Sequence, residues 1–405
     1  MRLGRSAVES RRNGHAPRFW KLAGFARGQG AVVMQAESSE PLESSENAGG
    51  VSRVGRPEQR SGGETTESPR SADRRQLLGP AASGGGESPA GGPIEGVVRY
   101  PFQKTLGGRQ FWADVYFFRD WRIQQNVLTK HYRLLDGDDY RHAWGSFEEC
   151  KRKLEEIRRK LRLPPMRGPG VILIHGILRS SKSMRPLRAA LEKEGYLTFP
   201  FDYPSSQLTI EEAAEYLHRA IQSLDGVSPI HFVVHSMGGL VLRAYLMKHR
   251  DRRIGRIVML GVPNRGAVLA DKLKGLALYR ALFGPAGVQL AGGKTGLIAK
   301  LPIPDVPFGI IAGARGTANG YNPLVPGDDD GTVSVESTKL PGAADFATVK
   351  CLHSFLMSNP TVIEYVLRFL KEGRFRPDPQ DVHPIPRSKA EGGSTAPSSA
   401  SAASD

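Results

Sequence analysis

The residues in this chain best suited to nucleophilic chemistry are a serine and two glycines at the end of an apolar run. Ile230-His231-Phe232-Val233-Val234-His235 leads into Ser236-Met237-Gly238-Gly239, and a helical pattern from Leu240 to Lys248 follows at once. Strand, sharp turn and helix in that order form a nucleophile elbow, which holds the serine hydroxyl clear at its apex. The turn needs small neighbours, and glycine lets backbone pass close by. The helix behind it points its positive end at the same spot. A serine so placed suits acyl transfer, in which it attacks a carbonyl and an oxyanion forms. Holding that oxyanion takes backbone N–H donors, each worth roughly 3 kcal/mol. Met237, directly after the serine, is one candidate donor. Ile177 is the other, in the His175-Gly176-Ile177-Leu178 loop that follows the apolar run Val171-Ile172-Leu173-Ile174. His175 reads as a packed residue that braces this loop.

The serine also needs a base, and the base needs an acid to fix its tautomer. Downstream, Phe308-Gly309-Ile310-Ile311-Ala312-Gly313 has the continuous apolar character of a strand covered on both faces. A long loop then leads to Asp328-Asp329-Asp330-Gly331-Thr332-Val333. Asp328 and Asp329 read as a solvated turn, and the triplet as no more than a weak calcium candidate. Asp330 differs, because it stands where the chain re-enters apolar structure and its carboxylate can turn inward. A last short strand, Phe346 to Leu352, ends at His353-Ser354-Phe355. His353 is therefore the candidate base, Asp330 the candidate acid and Ser236 the candidate nucleophile. No other cluster of His, Cys or acids has metal-ligand spacing, and no cofactor is expected.

Taken together, these segments resemble the α/β-hydrolase lipases and esterases, in particular the bacterial triacylglycerol-lipase-like group. The resemblance rests on His175-Gly176-Ile177, His235-Ser236-Met237-Gly238-Gly239, Gly261-Val262-Pro263-Asn264-Arg265-Gly266, Asp330-Gly331-Thr332-Val333 and His353-Ser354-Phe355, and spans roughly residues 110 to 371. GPI inositol-deacylase-like proteins share the same set. The chain departs from the Gly-x-Ser-x-Gly pattern at Val234, where glycine is expected. The resemblance implies an α/β-hydrolase fold: a mostly parallel central sheet, helices on both faces and a small helical cap. It also implies cleavage of carboxylic esters, lipid or acyl esters among them, through an acyl-enzyme. An acyltransferase using the same three residues is one alternative. A non-catalytic scaffold that binds partners is another.

The elements that must position these residues are legible in outline. Apolar runs at Val171, Leu197, Ile230, Ile254, Phe308 and Phe346 alternate with helical segments, which argues for a parallel sheet covered on both sides. Phe111 to Phe118 and Trp121 to Leu128 read as an antiparallel opening hairpin. Ser146 with Glu149, and Thr209 with Glu212, have capping-box spacing and start helices at Phe147 and Ile210. The insertion at 267–302 is apolar but broken by glycines, and reads as a cap over the serine that forms an acyl pocket. Arg265 reads as a loop anchor.

Composition bounds the rest. The chain has 405 residues and a formal net charge of +15. Residues 35–95 are nearly all Glu, Ser, Gly, Pro and Arg, and residues 1–95 read as a disordered, low-complexity region. Residues 96–372 form the expected catalytic domain and 373–405 a disordered tail. Residues 1–33 hold six Arg and one Lys against one Glu; Met34 as the true start is an alternative reading. The block Lys151–Arg162 holds seven bases and two acids on the charged face of a helix. That face reads as solvated, with weak docking to an anionic membrane surface as the alternative. No nucleic-acid motif accompanies it. Two cysteines, no secretory signal and no apolar run of membrane-spanning length make a cytoplasmic location the expectation.

Overall fold

A computed structural model of the chain describes residues 109–293 and 295–387. The expected regions 1–95 and 388–405 and the first residues of the expected domain lie outside the described residues.

The opening hairpin forms as Trp112–Phe118 (β1) and Trp121–Asn126 (β2), and it extends further than the hydrophobic pattern indicates. Tyr132–Leu135 (β3) and Arg141–Gly145 (β4) add to it, giving a separate four-stranded antiparallel sheet in the order β1-β2-β3-β4. These two strands are short, and β4 buries none of its residues, so no alternation marks them. The helix Phe147–Lys160 (α1) then starts at Ser146, where both hydrogen bonds of the capping box are made. It buries Cys150, Leu154 and Ile157. Several cations on its outer face are paired locally: Lys151 and Arg158 with Glu155, and Lys153 with Glu156.

The central sheet has six strands, all parallel: Gly168–Ile174 (β5), Leu197–Phe201 (β6), Val227–His235 (β7), Ile254–Leu260 (β8), Phe308–Ala314 (β9) and Asp345–Lys350 (β10). Their order is β10-β9-β8-β7-β5-β6, so β7, with the serine at its end, lies inside the sheet between β5 and β8. Because side chains alternate along a strand, each strand feeds two separate cores. Val171, Leu173, Val233, Val258, Leu260 and Ile311 pack with Arg185–Lys193 (α2) and Pro360–Glu372 (α8) on one face. Ile172, Ile174, Phe232, Val234, Ile257 and Met259 pack with Ile210–Gln222 (α3) and Met237–Lys248 (α4) on the other. The antiparallel sheet lies over that second core: the Phe117 N–H donates to Ser223 Oγ, and the Asp114 N–H to the Asp202 carbonyl just past β6.

Between β8 and β9 come three short helices, Val268–Leu273 (α5), Ala277–Gln289 (α6, kinked at Gly284) and Leu297–Lys300 (α7). They correspond to the expected insertion. Arg243, buried on α4, ties down both of its ends. Its guanidinium donates to the Leu301 and Pro302 carbonyls on one side and to the Asn264 carbonyl and side-chain oxygen on the other.

The expected disordered tail needs correction at its start. Residues 373–387 are packed on the domain: Phe375 is fully buried beside Phe369, and Ile385 exchanges backbone hydrogen bonds with the strand-entry segment at Gly342 and Ala343. The anchor is Asp345, a buried carboxylate that accepts from the Phe375 and His383 N–H groups. A polar, proline-rich composition concealed this single aromatic plug. Among the described residues no helix is long and apolar enough to cross a membrane.

Candidate active site

Ser236 sits between the last residue of β7 and the first of α4 with φ 54° and ψ −129°, a conformation that non-glycine residues rarely adopt. Such backbone persists only where the surroundings over-determine it, at a cost of roughly 1–3 kcal/mol. Here the Ser236 N–H donates to the Leu260 carbonyl, which fixes the elbow against β8. The neighbouring glycines are steric necessities. A Cβ on Gly238 would lie 2.7 Å from both the Ile174 and His175 carbonyl oxygens, and one on Gly176 would lie 2.9 Å from Ser236 Cβ. Val234, the departure from the usual elbow pattern, is fully buried in the core that also contains Leu240 and Val241. The elbow forms with it in place.

His353 opens a short 3-10 turn after β10 and is held to Asp330 twice. Its N–H donates to the Asp330 carbonyl at 2.8 Å, and its Nδ1 meets Asp330 Oδ2 at 2.7 Å. The other carboxylate oxygen accepts from the Thr332 and Val333 N–H groups at 3.0 and 2.8 Å. Asp330 is therefore a buried carboxylate held by three hydrogen bonds. Gly261 leaves the room this pair needs: a Cβ there would lie 3.1 Å from His353 Nδ1 and 3.2 Å from Asp330 Oδ2.

Ser236 and His353 face one cavity of about 340 Å³. The Ser236 hydroxyl makes no hydrogen bond to a described residue. The candidate oxyanion donors are Ile177 and Met237. Ile177 lines the cavity, Met237 opens α4, and neither N–H donates to another described residue. The far wall is apolar and comes from the insertion, with Leu269, Leu273, Tyr279, Phe283 and Leu290. Ile177, Ser236 and His353 thus line one cavity; Asp330 is joined to it through His353, and Met237 directly follows Ser236 in the chain.

His175 is buried and stacks on Tyr203, whose hydroxyl donates to the His175 carbonyl at 2.8 Å, in keeping with a bracing residue. Arg265 pairs with Glu336 and donates its N–H to the Ser337 carbonyl, as a loop anchor would. Asp329 is a correction. Read as part of a solvated turn, it is fully buried and accepts from the Asn322 and Gly331 N–H groups, knitting the acid loop to itself. Asp328 does the same at the loop's entry, accepting from Arg315 and Gly316. Among the described residues no group of His, Cys, Asp and Glu is arranged to hold a metal ion.

Three features of the site carry no signal in the sequence. His235 packs beside the His353 ring, 4.6 Å between centroids, and its Nε2 donates to the His353 carbonyl at 3.1 Å. Burial, reinforced by His353 itself, holds the His235 pKa well below the usual histidine range, so it stays neutral. Arg179 lines the cavity rim. The third feature lies behind the Ile177 loop. There Asp202 accepts from both the N–H and the hydroxyl of Ser181 and pairs with Arg122 at 2.9 Å. Arg122 also bonds Asp139 and faces Asp114. Burial, opposed by Arg122 and assisted by Asp202, pushes the Asp114 carboxyl up to about 7. This network couples the antiparallel sheet to the loop that carries Ile177.

Residues 169–284 match the family model described as alpha/beta hydrolase fold. No curated protein sequence matches the chain. Among solved structures, a lipase from Bacillus licheniformis in its propeptide form aligns at 19% identity and a TM-score of 0.42, over 55% of this chain and 52% of that one. The chain thus spans about half the length of that protein. A gene product of Listeria innocua aligns at 18% identity and a TM-score of 0.38, over 52% of this chain and 96% of that one. A metagenomic carboxyl esterase aligns at 18% identity and a TM-score of 0.38, over 51% and 76%. The parallel six-stranded sheet and the family match together define the class: this is a protein of the α/β-hydrolase fold.

Proposed function

We propose that the chain is a serine hydrolase of carboxylic esters with lipid-like or other acyl substrates. The observation that carries this reading is the Asp330–His353 hydrogen bond of 2.7 Å at the rim of the cavity into which the strained Ser236 projects. With Nδ1–H held by Asp330, the lone pair of His353 lies on Nε2 and accepts the Ser236 proton as Oγ attacks the ester carbonyl. The carbonyl oxygen becomes an oxyanion, which the Ile177 and Met237 N–H groups bind. His353 then hands its proton to the departing alcohol, leaving the acyl group on Ser236. Water, deprotonated by the same imidazole, releases the acid and restores the serine.

The acyl side is inferred from the cavity wall. Leu269, Leu273, Phe283 and Leu290 offer apolar surface and no charge, which suits a hydrocarbon chain. A fluorophosphonate probe tests the nucleophile. Wild-type protein should be labelled and Ser236→Ala should not. Equal labelling of the two would show that another residue is the nucleophile. Hydrolysis of p-nitrophenyl esters from acetyl to palmitoyl then reads the depth of the acyl pocket.

A further inference from the structure

A second cavity adjoins the one at Ser236, and Ile177 and Arg179 line both. It measures about 440 Å³ and is otherwise bounded by Leu178, Ser180 and Ser183. Its lining is more polar than that of the acyl pocket: beside Ile177 and Leu178 stand two serines and the Arg179 guanidinium. Arg179 is exposed, and its guanidinium donates to Ser354 Oγ at 2.5 Å, next to His353 in the chain. Among the described residues it has no carboxylate partner, and a guanidinium carries five donors in one plane. Most of them remain for a ligand. The backbone turns sharply just ahead of it. Leu178 has φ 55°, rare for a branched residue, and is held there by its N–H donating to Ser205 Oγ at 3.0 Å. Ser180 makes no capping bond with its side chain, which leaves that hydroxyl free to serve the same cavity.

An ester that reacts at Ser236 must extend to both sides of the scissile carbonyl. Its hydrocarbon half is accommodated under α5 and α6, so the alcohol half passes Ile177 toward the polar cavity. We propose that this cavity is the alcohol-side subsite, and that it selects esters whose alcohol portion bears a phosphate, bound by Arg179. The planar fork of arginine matches phosphate oxygens in a bidentate manner, which a lysine cannot do. The inference rests on the ester-hydrolase reading above and narrows it to a substrate class.

The test compares three esters with the same acyl chain below their micellar concentrations: 1-octanoylglycerol, its 3-phosphate and its 3-phosphocholine. The full chain, Arg179→Gln and Arg179→Lys are assayed for kcat/KM. Charge-assisted hydrogen bonds make the expected wild-type preference for the phosphate over the neutral ester on the order of tenfold to a hundredfold. That ratio should fall close to one in Arg179→Gln. It should be intermediate in Arg179→Lys, which keeps the charge and loses the fork. Raising the salt to high ionic strength should shrink the wild-type preference. A wild-type protein that prefers the neutral ester overturns the subsite, as does a ratio unmoved by Arg179→Gln. A loss equal on all three esters also overturns it, since Arg179 would then act only as a latch on Ser354. Failure of the underlying reading looks different: Ser236→Ala would hydrolyse the esters as fast as wild type.

Discussion

Replacing Asp330 by asparagine separates orientation from packing at this site. In the native protein Oδ1 accepts from the Thr332 and Val333 N–H groups while Oδ2 faces His353 Nδ1. An asparagine must keep its single oxygen on those two donors, or it leaves two backbone N–H groups facing an amide that also donates. Its NH2 group then points at His353 Nδ1. A donor there forces the imidazole proton onto Nε2, toward Ser236, where it blocks acceptance of the serine proton. The expected loss in kcat is about 10⁴-fold, which corresponds to roughly 5.5 kcal/mol of barrier. Because both the volume and the two N–H bonds survive, thermal stability and KM should move little. The assay is steady-state hydrolysis of a soluble p-nitrophenyl ester, run with a melting curve on the same preparation. Asp329→Asn is the control. It disturbs a buried acceptor that holds Asn322 and Gly331, so it should cost stability on the order of 1–3 kcal/mol with a smaller effect on rate. If Asp330→Asn stays within tenfold of wild type while Asp329→Asn abolishes turnover of folded protein, the acid has been misassigned.

Ser236→Gly should be inactive yet more stable by about 1 kcal/mol, because glycine tolerates φ 54°; a lower urea midpoint would contradict the strain. Arg243→Lys should lose roughly 2–3 kcal/mol and alter the acyl-length profile, because one ammonium cannot hold Asn264, Leu301 and Pro302 together; calorimetry and the p-nitrophenyl series read both effects. His231 is buried and accepts from the Arg256 N–H, and burial, with Arg256 adding to it, lowers its pKa from 6.5 to about 4. A depressed folded pKa gives stability that is complete above 6.5 and lost as pH falls toward 4, about 2 kcal/mol of it by pH 5. His231→Gln should flatten that part of the profile, read as urea midpoints at pH 7.5 and 5 relative to wild type; an unchanged slope would show that His231 does not titrate as described.

Local features were legible wherever their cause is local. The capping boxes at Ser146 and Thr209 form as spaced, because each needs only residues three apart. The elbow at Ser236 and the strand that feeds it are equally visible, since glycine spacing and an unbroken apolar run record steric and burial demands directly. Chain order also placed Asp330 and His353 after the serine, each beside an apolar run. What composition concealed was burial decided elsewhere. Asp329 looked solvated beside Asp328, and the segment holding Phe375 looked like tail, because nothing nearby in sequence announces the partners that enclose them.

The strand-turn-helix elbow at Ser236, the parallel character of the sheet and the apolar stretch at 267–302 follow from residue types and spacing alone, since those depend on short-range sterics and periodicity. Strand order is different, because it depends on which surfaces find each other once the chain closes. Only the folded molecule puts Asp330 on His353, sets His235 against the same ring and joins an apolar cavity to a polar one across Ile177. Contacts between distant segments are chosen by the total packing of both cores, and no window of sequence contains that sum.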